Sequence, residues 1–404
     1  MVIKRTPPRY PRKGPSCLLV LLVLAGIAAG AFIITNAEQV RDTIIPTSTP
    51  EPTRSATEYA LLADLSERDG ELEEAVGYYE TAVRLDATKP EFYIRLINLL
   101  VQTSQPERAL EIAEQATVLA PDSEDVWTAV AAAHIANGDR LDNMGDPTGA
   151  NLEYAEAVRA ADSAIAINAR NATAYAYKAA GLVFPQDPAK YEQAQEAAAT
   201  AVDIDPDNAI ARLYMANTLE LQAYYAAARE NYQLGIQADP TLIDLYIGLA
   251  YNYFGTGSTS EAILTFQDAI AVDPTNAVAF DGLAYMYLQL GELPLAKDNA
   301  VQAIELDPNM ARAYGRLGEA HFKEFNYDRA IEELTTAVDL YGEPNDLNAR
   351  FFNMLATAYI RKDLALCPQA EPIFEAVSRT NSFSRESALE GIEECRRAQL
   401  GTSP

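Results

Sequence analysis

From residue 56 onward the sequence repeats itself every 34 residues, and this period constrains the fold more than any other feature. Asp-Pro pairs mark it at Asp205-Pro206, Asp239-Pro240, Asp273-Pro274 and Asp307-Pro308. Each interval holds two segments of about 12 to 14 residues whose apolar residues recur at helical spacing, separated by a short polar turn. Each unit is therefore predicted to be a pair of antiparallel helices. Such a period is typical of an elongated array in which every unit packs against its neighbours.

The unit from Ala277 to Met310 shows the repeated pattern most clearly. Its recurring residues are Leu283-Ala284, Tyr287, Gly291, Ala296, Ala303-Ile304 and Pro308. The preceding unit has Leu249-Ala250, Tyr253, Gly257, Ala262, Phe266, Ala269-Ile270 and Pro274, and the following one has Leu317-Gly318, His321, Ala330, Leu334 and Ala337-Val338. This pattern resembles the tetratricopeptide repeat. The resemblance implies an all-α fold, a right-handed superhelical solenoid in which the small residues let neighbouring helices approach closely.

The same register extends over most of the chain. It predicts nine units that begin near Ala56, Pro90, Glu124, Ala174, Ala209, Ile243, Ala277, Ala311 and Ala349. The solenoid is thus predicted over residues 56–383, followed by a capping helix and tail over 384–404. A small polar residue after each Asp-Pro pair, such as Asn208, Asn276 or Asn309, is predicted to cap the next first helix.

Two units depart from the regular length. The third is about 16 residues too long, and residues 137–153 are predicted to be a loop that interrupts its turn. The eighth is followed by an additional linker, Gly342 to Asn345. Asp139, Asp142, Asn143 and Asp146 lie in the first insertion, but their spacing does not follow the Asp-x-Asp-x-Asp-Gly pattern of a calcium loop. An ordinary solvated loop without a metal is therefore expected there.

The N-terminal segment has the composition of a membrane anchor. No charged residue lies between Lys13 and Glu38, and Cys17 to Ile34 is almost wholly apolar. We predict a basic cytoplasmic segment over 1–15, one transmembrane helix over 16–37 and an extended stalk rich in Pro, Thr and Ser over 38–55. Basic residues precede the apolar run, so the positive-inside rule places the N-terminus in the cytoplasm. We therefore expect a plasma-membrane anchor with the repeats on the extracytoplasmic side.

A cleaved signal peptide is the alternative interpretation of this segment. Thr35-Asn36-Ala37 is a poor match to the small-x-small cleavage pattern, and the apolar run is longer than that of a usual signal peptide. Cys17 lies at the start of the run rather than at its end, which argues against lipoprotein processing. These observations favour a retained anchor.

The charge and motif content argue against nucleic-acid binding and catalysis. The formal net charge is −27, which repels phosphate backbones. Neither a phosphate-binding Gly-Lys loop, nor a Gly-x-Ser-x-Gly motif, nor a His-Glu-x-x-His motif occurs in the sequence. The two histidines, His134 and His321, fall in the repeat column occupied elsewhere by Tyr253, Tyr287 and Tyr359, so packing explains them. We expect no enzymatic activity and no cofactor.

Cys367 and Cys395 are predicted to lie opposite each other near the C-terminus. Cys367 precedes the second helix of the last unit, and Cys395 is near the end of the final helix. Antiparallel pairing about a turn near Asn381 brings the two together, and outside the cytoplasm such a pair would be oxidised. Two unpaired thiols are the alternative.

In the tetratricopeptide family the concave face, lined by the first helices, commonly binds protein. The resemblance implies a groove lined by Asn98, Tyr175, Leu213, Asn217, Ile247, Tyr251, Phe254, Tyr285, Leu288, Phe322 and Asn353. Its aromatic middle suits a peptide with apolar anchors. The basic residues that hold a peptide carboxylate in some members are not predicted to assemble, because Lys178 and Arg361 are isolated from each other. A non-enzymatic scaffold is the leading prediction; glycan binding and self-association are the alternatives.

Overall fold

The computed structural model describes residues 17–35 and 54–400, without the side chains of 17–20 and 33–35. The chain divides into two units, residues 1–55 and 56–404. In the first unit, helix α1 spans Cys17–Thr35. The predicted cytoplasmic segment 1–15, the ends of the predicted transmembrane segment 16–37 and nearly all of the stalk lie outside the described residues. Among the residues that are described, no helix combines the length and the apolar character needed to cross a membrane.

The second unit consists of nine helix pairs and one final helix over its described residues. The first helices of the pairs are α2 (Ala56–Arg68), α4 (Pro90–Gln102), α6 (Glu124–Asn143), α8 (Ala172–Val183), α10 (Ala209–Leu221), α12 (Ile243–Gly255), α14 (Ala277–Leu290), α16 (Ala311–Lys323) and α18 (Ala349–Lys362). The second helices are α3 (Leu72–Leu85), α5 (Pro106–Leu119), α7 (Pro147–Ile167), α9 (Tyr191–Ile204), α11 (Tyr225–Ala238), α13 (Thr259–Val272), α15 (Leu293–Leu306), α17 (Tyr327–Tyr341) and α19 (Cys367–Ser378). Helix α20 (Arg385–Gln399) caps the array, and single 3-10 turns cover Pro188–Lys190 and Leu364–Leu366.

The Asp-Pro junctions form the same local turn in successive repeats. The Asp273 carboxylate accepts a hydrogen bond from the backbone N–H of Thr275 at 2.9 Å. One residue later, the Asn276 side chain accepts from the N–H of Ala279 at 3.1 Å and caps α14. The capping position is thus the third residue after the Asp, where the eighth repeat has Met310. Asn309, predicted to be a cap, instead donates its N–H to the Asp307 carboxylate at 2.9 Å.

From α4 to α18, each first helix packs against the first helix of the next repeat, and α18 packs against the capping helix α20; these helices form the inner layer of the array. The second helices fit behind them. Small residues make this fit possible: a Cβ atom added to Gly282 would collide with the Phe266 ring, and one added to Gly318 would collide with Leu334. Ala262 and Ala296 are likewise buried where the two helices of a repeat meet.

The predicted loop over residues 137–153 is wrong, because these residues lengthen both helices of the third repeat. Helices α6 and α7 have 20 and 21 residues, and Met144 to Asp146 is all that connects them. Asp146 caps α7 by accepting from the N–H of Gly149 at 2.9 Å, and Pro147 occupies the first helical position. The Tyr154 hydroxyl donates to Asp139 at 2.7 Å across the pair. We call α6 and α7 the long hairpin.

Helices α19 and α20 are joined by a disulfide bond between Cys367 and Cys395. Their Cα atoms are 5.4 Å apart, and both side chains are buried in the C-terminal core with Phe374 and Val377. The bond closes the last repeat onto its capping helix.

Candidate functional site: the concave face

The structure brings most of the predicted groove residues to the inner layer, but with very different exposure. Tyr175, Asn217, Ile247, Tyr251, Phe254, Tyr285, Phe322 and Asn353 are half-buried, and Asn98 is exposed. Leu213 and Leu288 are only 5% and 1% exposed and lie in the core between helices. These two leucines are therefore corrections to the prediction, because neither presents a surface to a ligand.

The aromatic residues of the groove pack partly on one another. The rings of Tyr251 and Phe266 meet edge to face at 5.1 Å, and those of Phe254 and Tyr285 at 5.3 Å. Phe266 is fully buried, whereas Tyr251, Phe254 and Tyr285 pack on a neighbouring helix and keep part of their surface exposed.

Two side-chain amides of the groove, those of Asn217 and Asn353, make a hydrogen bond within the chain. Asn217 accepts a hydrogen bond from the Tyr232 hydroxyl at 2.6 Å. Asn353 donates to the Ser387 hydroxyl of the capping helix at 3.2 Å. A ligand backbone would have to compete with these bonds.

A buried carboxylate organises two arginines on this face. Asp281 on α14 is fully buried, and its carboxylate lies 2.8 Å from Nε of Arg312 and 3.3 Å from Nε of Arg316, both on α16. The Arg316 guanidinium also lies over the Tyr285 ring, 4.1 Å from its centroid. Nη1 of Arg316 is buried without an acceptor among the described residues.

A third arginine and a lysine extend this group toward solvent. Glu319 lies 3.1 Å from Lys323 and 3.9 Å from Arg350. Burial, and next the positive charge of Arg316, lower the pKa of Arg350. The Arg350 and Lys323 side chains remain 38% and 40% exposed. We name Asp281, Arg312, Arg316, Glu319, Lys323 and Arg350 the cationic cluster, because four cations face two carboxylates in it.

The sequence prediction missed the arginines of this cluster. It treated Lys178 and Arg361 as the relevant cations, and these are paired elsewhere, with Asp162 at 2.7 Å and Glu394 at 3.0 Å. A signal was nevertheless present, since Arg312 and Arg350 each hold the second position of the first helix in consecutive repeats. The basic residues at this position of successive repeats therefore indicate the arginines from the sequence.

The tip of the long hairpin crosses to the far end of the concave face. Nη1 of Arg312 donates to the side-chain oxygen of Asn143 at 2.8 Å, and the Asn345 side chain donates to the carbonyl of Gly145 at 2.9 Å. Gly145 has a φ of +82°, and a Cβ there would lie 3.0 Å from the Asn348 side chain. The two departures from regular repeat length, in the third unit and after the eighth, therefore contact each other.

The hairpin brings an unusual carboxyl group to this face. Burial raises the pKa of Asp139 to about 7, the hydrogen bond from Tyr154 opposes this shift, and the charges of Asp244 and Asp142 add to it. The contacts of the tip are with the start of α16 and the residues before α18. Tyr251 and Tyr285 lie about two turns from the starts of their own helices, α12 and α14.

Three stretches of the chain match family models. Tetratricopeptide-repeat models match residues 68–133, 243–276 and 282–343. Among solved structures, yeast Tom70 is 15% identical, with 86% of this chain and 89% of that chain covered and a TM-score of 0.45. The type IV pilus biogenesis factor PilW is 16% identical (54% and 98% covered, TM-score 0.47) and Pseudomonas aeruginosa PilF 18% (55% and 99%, TM-score 0.45). No curated protein matches the sequence.

The family assignment rests on the three matches together with the nine helix pairs and their small-residue contacts. The chain belongs to the tetratricopeptide-repeat family.

Proposed function

We propose that this protein is a non-enzymatic scaffold that binds a protein partner on its concave face and is held at a membrane by its N-terminal segment. The observation that carries the binding proposal is the cationic cluster beside Tyr285. In a chain of net charge −27, four cations gathered around two carboxylates form a local site for an anionic group.

A partner segment with an acidic residue next to an apolar one matches these groups. The exposed Arg350 and Lys323 would receive the carboxylate, and the uncovered parts of Tyr251, Phe254 and Tyr285 would receive the apolar side chain. Binding of this kind makes and breaks no covalent bond. The proposed role is therefore recognition of a partner.

Site-specific photo-crosslinking in cells tests the binding face. A photo-reactive residue at Phe322 should give discrete protein adducts, and Arg350→Glu in the same chain should abolish them. The matched control carries the photo-reactive residue at Leu264, which is 60% exposed on the second-helix layer. Equal adduct patterns from Phe322 and Leu264, or adducts unaffected by Arg350→Glu, would reject the concave face as the binding site.

The anchor proposal rests on the sequence of the N-terminal segment, which has no charge between Lys13 and Glu38. The full-length protein should stay in the membrane pellet after extraction with alkaline carbonate. Leu24→Arg combined with Ile27→Arg should release it, because each arginine at the centre of a span costs about 2.5–3.5 kcal/mol. Release of the unaltered chain would refute the anchor.

Cysteine labelling tests the proposed orientation. In a Cys17→Ser background, Ser48→Cys should react with an impermeant maleimide in intact cells, whereas Gly14→Cys should react only after permeabilisation. The opposite pattern would place the repeats in the cytoplasm.

A further inference from the structure

Arg316 of the cationic cluster has an incomplete set of partners. The Asp281 carboxylate lies 3.3 Å from its Nε but only 2.8 Å from Nε of Arg312, so this carboxylate balances Arg312 first. Nη1 of Arg316 is buried and has no acceptor among the described residues. The side chain as a whole is 10% exposed. Because a buried charged donor without an acceptor is costly, this guanidinium group favours a ligand that supplies one.

Arg350 lacks a close counter-ion as well. Among the described residues, the carboxylate within ion-pair distance of it is that of Glu319, at 3.9 Å, and Glu319 lies closer to Lys323, at 3.1 Å. The Arg350 guanidinium instead lies over the Phe351 ring, 4.3 Å from its centroid. Burial, and next the positive charge of Arg316, lower the pKa of Arg350. The two arginines therefore repel each other, and neither charge is balanced by the carboxylate nearest to it.

Tyr285 marks the point of the concave face where the two arginines come together. The guanidinium of Arg316 lies 4.1 Å from the centroid of this ring, and that of Arg350 lies 5.9 Å from the same centroid. An anion at this point would interact with both guanidinium groups and relieve their repulsion. Guanidinium groups bind planar or tetrahedral oxyanions through two N–H groups at a time, so the pair suits a phosphate or a carboxylate.

The charge of the pair distinguishes between these two anions. Once Asp281 is assigned to Arg312 and Glu319 to Lys323, two positive charges remain, on Arg316 and Arg350. A carboxylate neutralises one of them. A phosphate ester of a side chain carries a charge of about −1.5 to −2 at pH 7 and has three acceptor oxygens, so it neutralises both.

We propose that the acidic group bound at this point is a phosphorylated side chain of the protein partner, held between Arg316 and Arg350 beside Tyr285. This inference rests on the proposed function, since the partner segment must lie on the concave face. Arg350, whose side chain is 38% exposed, would hold the phosphate from the solvent side. Its guanidinium would move off the Phe351 ring, so that a phosphate oxygen could accept from Nη1 of Arg316.

The test compares short capped peptides that differ at one residue, which is phosphoserine, glutamate or serine, followed by leucine. Binding to the full-length protein in detergent is measured by isothermal titration calorimetry at pH 7.5. The phosphoserine peptide should bind about tenfold or more tightly than the glutamate peptide, because the phosphate gains additional charge-assisted hydrogen bonds. Inorganic phosphate should bind more weakly than the phosphoserine peptide, since it lacks the apolar side chain. Equal affinities in either comparison would overturn the proposal.

The pH dependence of binding provides a second readout. The second pKa of a phosphate ester is about 6, so the phosphoserine peptide should bind more tightly as pH rises from 5 to 7.5, whereas the glutamate peptide stays largely ionised. The protein groups that face the two arginines are Asp281, Glu319, Lys323, Tyr285, Tyr341 and, beside Arg312, Asp142 of the hairpin. Their protonation acts on both peptides alike. A ratio of the two dissociation constants that is independent of pH would contradict binding of a dianion.

Variants of the two arginines connect this selectivity to the site. Arg316→Gln should reduce the affinity for the phosphoserine peptide to that for the glutamate peptide. Arg350→Gln should do the same at a more exposed position, and it keeps the test decisive if Arg316→Gln does not fold. Arg329→Gln is the matched control, since its side chain is 59% exposed on α17 and pairs with Glu332 at 2.7 Å. Selectivity for phosphoserine that survives in Arg350→Gln would overturn the proposal.

Crosslinking from Phe322 separates this inference from the proposed function. The peptides captured in cells should carry a phosphate group, which mass spectrometry detects. Adducts without phosphate would leave the concave face as the binding site and overturn the phosphate inference alone. A complete absence of adducts would overturn the proposed function and this inference with it.

Discussion

Asp139 is a residue through which pH acts on the stability of this fold. Its pKa is raised to about 7 in the folded chain, chiefly by burial, from an ordinary value of 3.8. The folded state therefore holds this proton more tightly than the unfolded state between about pH 4 and pH 7. The raised pKa stabilises the folded state. Its contribution to the free energy of unfolding is fully present below about pH 4 and is lost as pH rises through 7.

We predict that Asp139→Asn removes this pH dependence, because asparagine can still accept the hydrogen bond from Tyr154 without carrying a charge. Denaturant unfolding at pH 5 and pH 8 measures it. Between pH 5 and pH 8, the free energy of unfolding of the unaltered chain should fall by about 1–3 kcal/mol more than that of the variant. An equal loss in both would show that the carboxyl group is already solvated in the folded state.

Asp281 is the residue on which the cationic cluster depends. Asp281→Asn would leave Arg312 and Arg316 without their shared counter-ion, and we expect a loss of about 3–5 kcal/mol in the free energy of unfolding. Asp298→Asn on the exposed face of α15 is the control and should change stability by less than about 0.5 kcal/mol. Similar effects in the two variants would mean that the cluster is not buried as described.

At the scale of elements, the long hairpin changes how the array holds its shape. A regular solenoid has contacts between neighbouring repeats alone, so its curvature can vary with little cost. Here Asn143 and Gly145 tie the third repeat to Arg312 and Asn345, across 169 and 200 residues of chain. The hairpin thus acts as a strut across the concave face.

We predict that Asn143→Ala combined with Asn345→Ala loosens this strut without unfolding the helices. The variant loses the two hydrogen bonds between the hairpin and the far end of the array, worth about 1–3 kcal/mol together. It also loses the two that the Asn345 side chain accepts from the N–H groups of Leu347 and Asn348. Spin labels at Met144 and Leu347 should give a narrow distance distribution in the unaltered chain and a broader one in the double variant. Asn299→Ala, which removes a bond within α15, should leave the distribution narrow. A broad distribution in the unaltered chain would contradict the strut.

For the whole molecule, the disulfide is expected to protect one end rather than the entire array. Replacing both Cys367 and Cys395 by serine should destabilise the C-terminal cap by about 2–4 kcal/mol. Hydrogen exchange should accelerate in α18 to α20 and remain unchanged in α2 to α5, because the stability of a repeat array is largely local. Cys17→Ser is the control. Uniform acceleration along the chain would show that the array unfolds as a single unit.

Much of this architecture could be predicted from the sequence, because its causes are local. The 34-residue period, the helix pairs and the small-residue columns depend on contacts within one repeat or between neighbours, and the family they predicted is confirmed. The capping position is also readable in the sequence. Asn208 and Asn276 cap their helices and are each the third residue after the junction Asp, whereas Asn309 is the second. The pairing of Cys367 with Cys395 likewise follows from the geometry of two adjacent helices.

What only the tertiary structure decided depends on curvature that accumulates over many repeats. No spacing in the sequence indicates that Asn143 reaches Arg312, because the rotations that bring them together are spread over five repeats. Packing between neighbouring helices decides which groove residues stay accessible: Leu213 and Leu288 lie in the core, while Tyr285 remains partly open. The predicted loop over residues 137–153 is wrong for a related reason: the contacts that these residues make lie far away in the sequence. The far end of the array, which the lengthened helices contact, is distant in sequence but close in space.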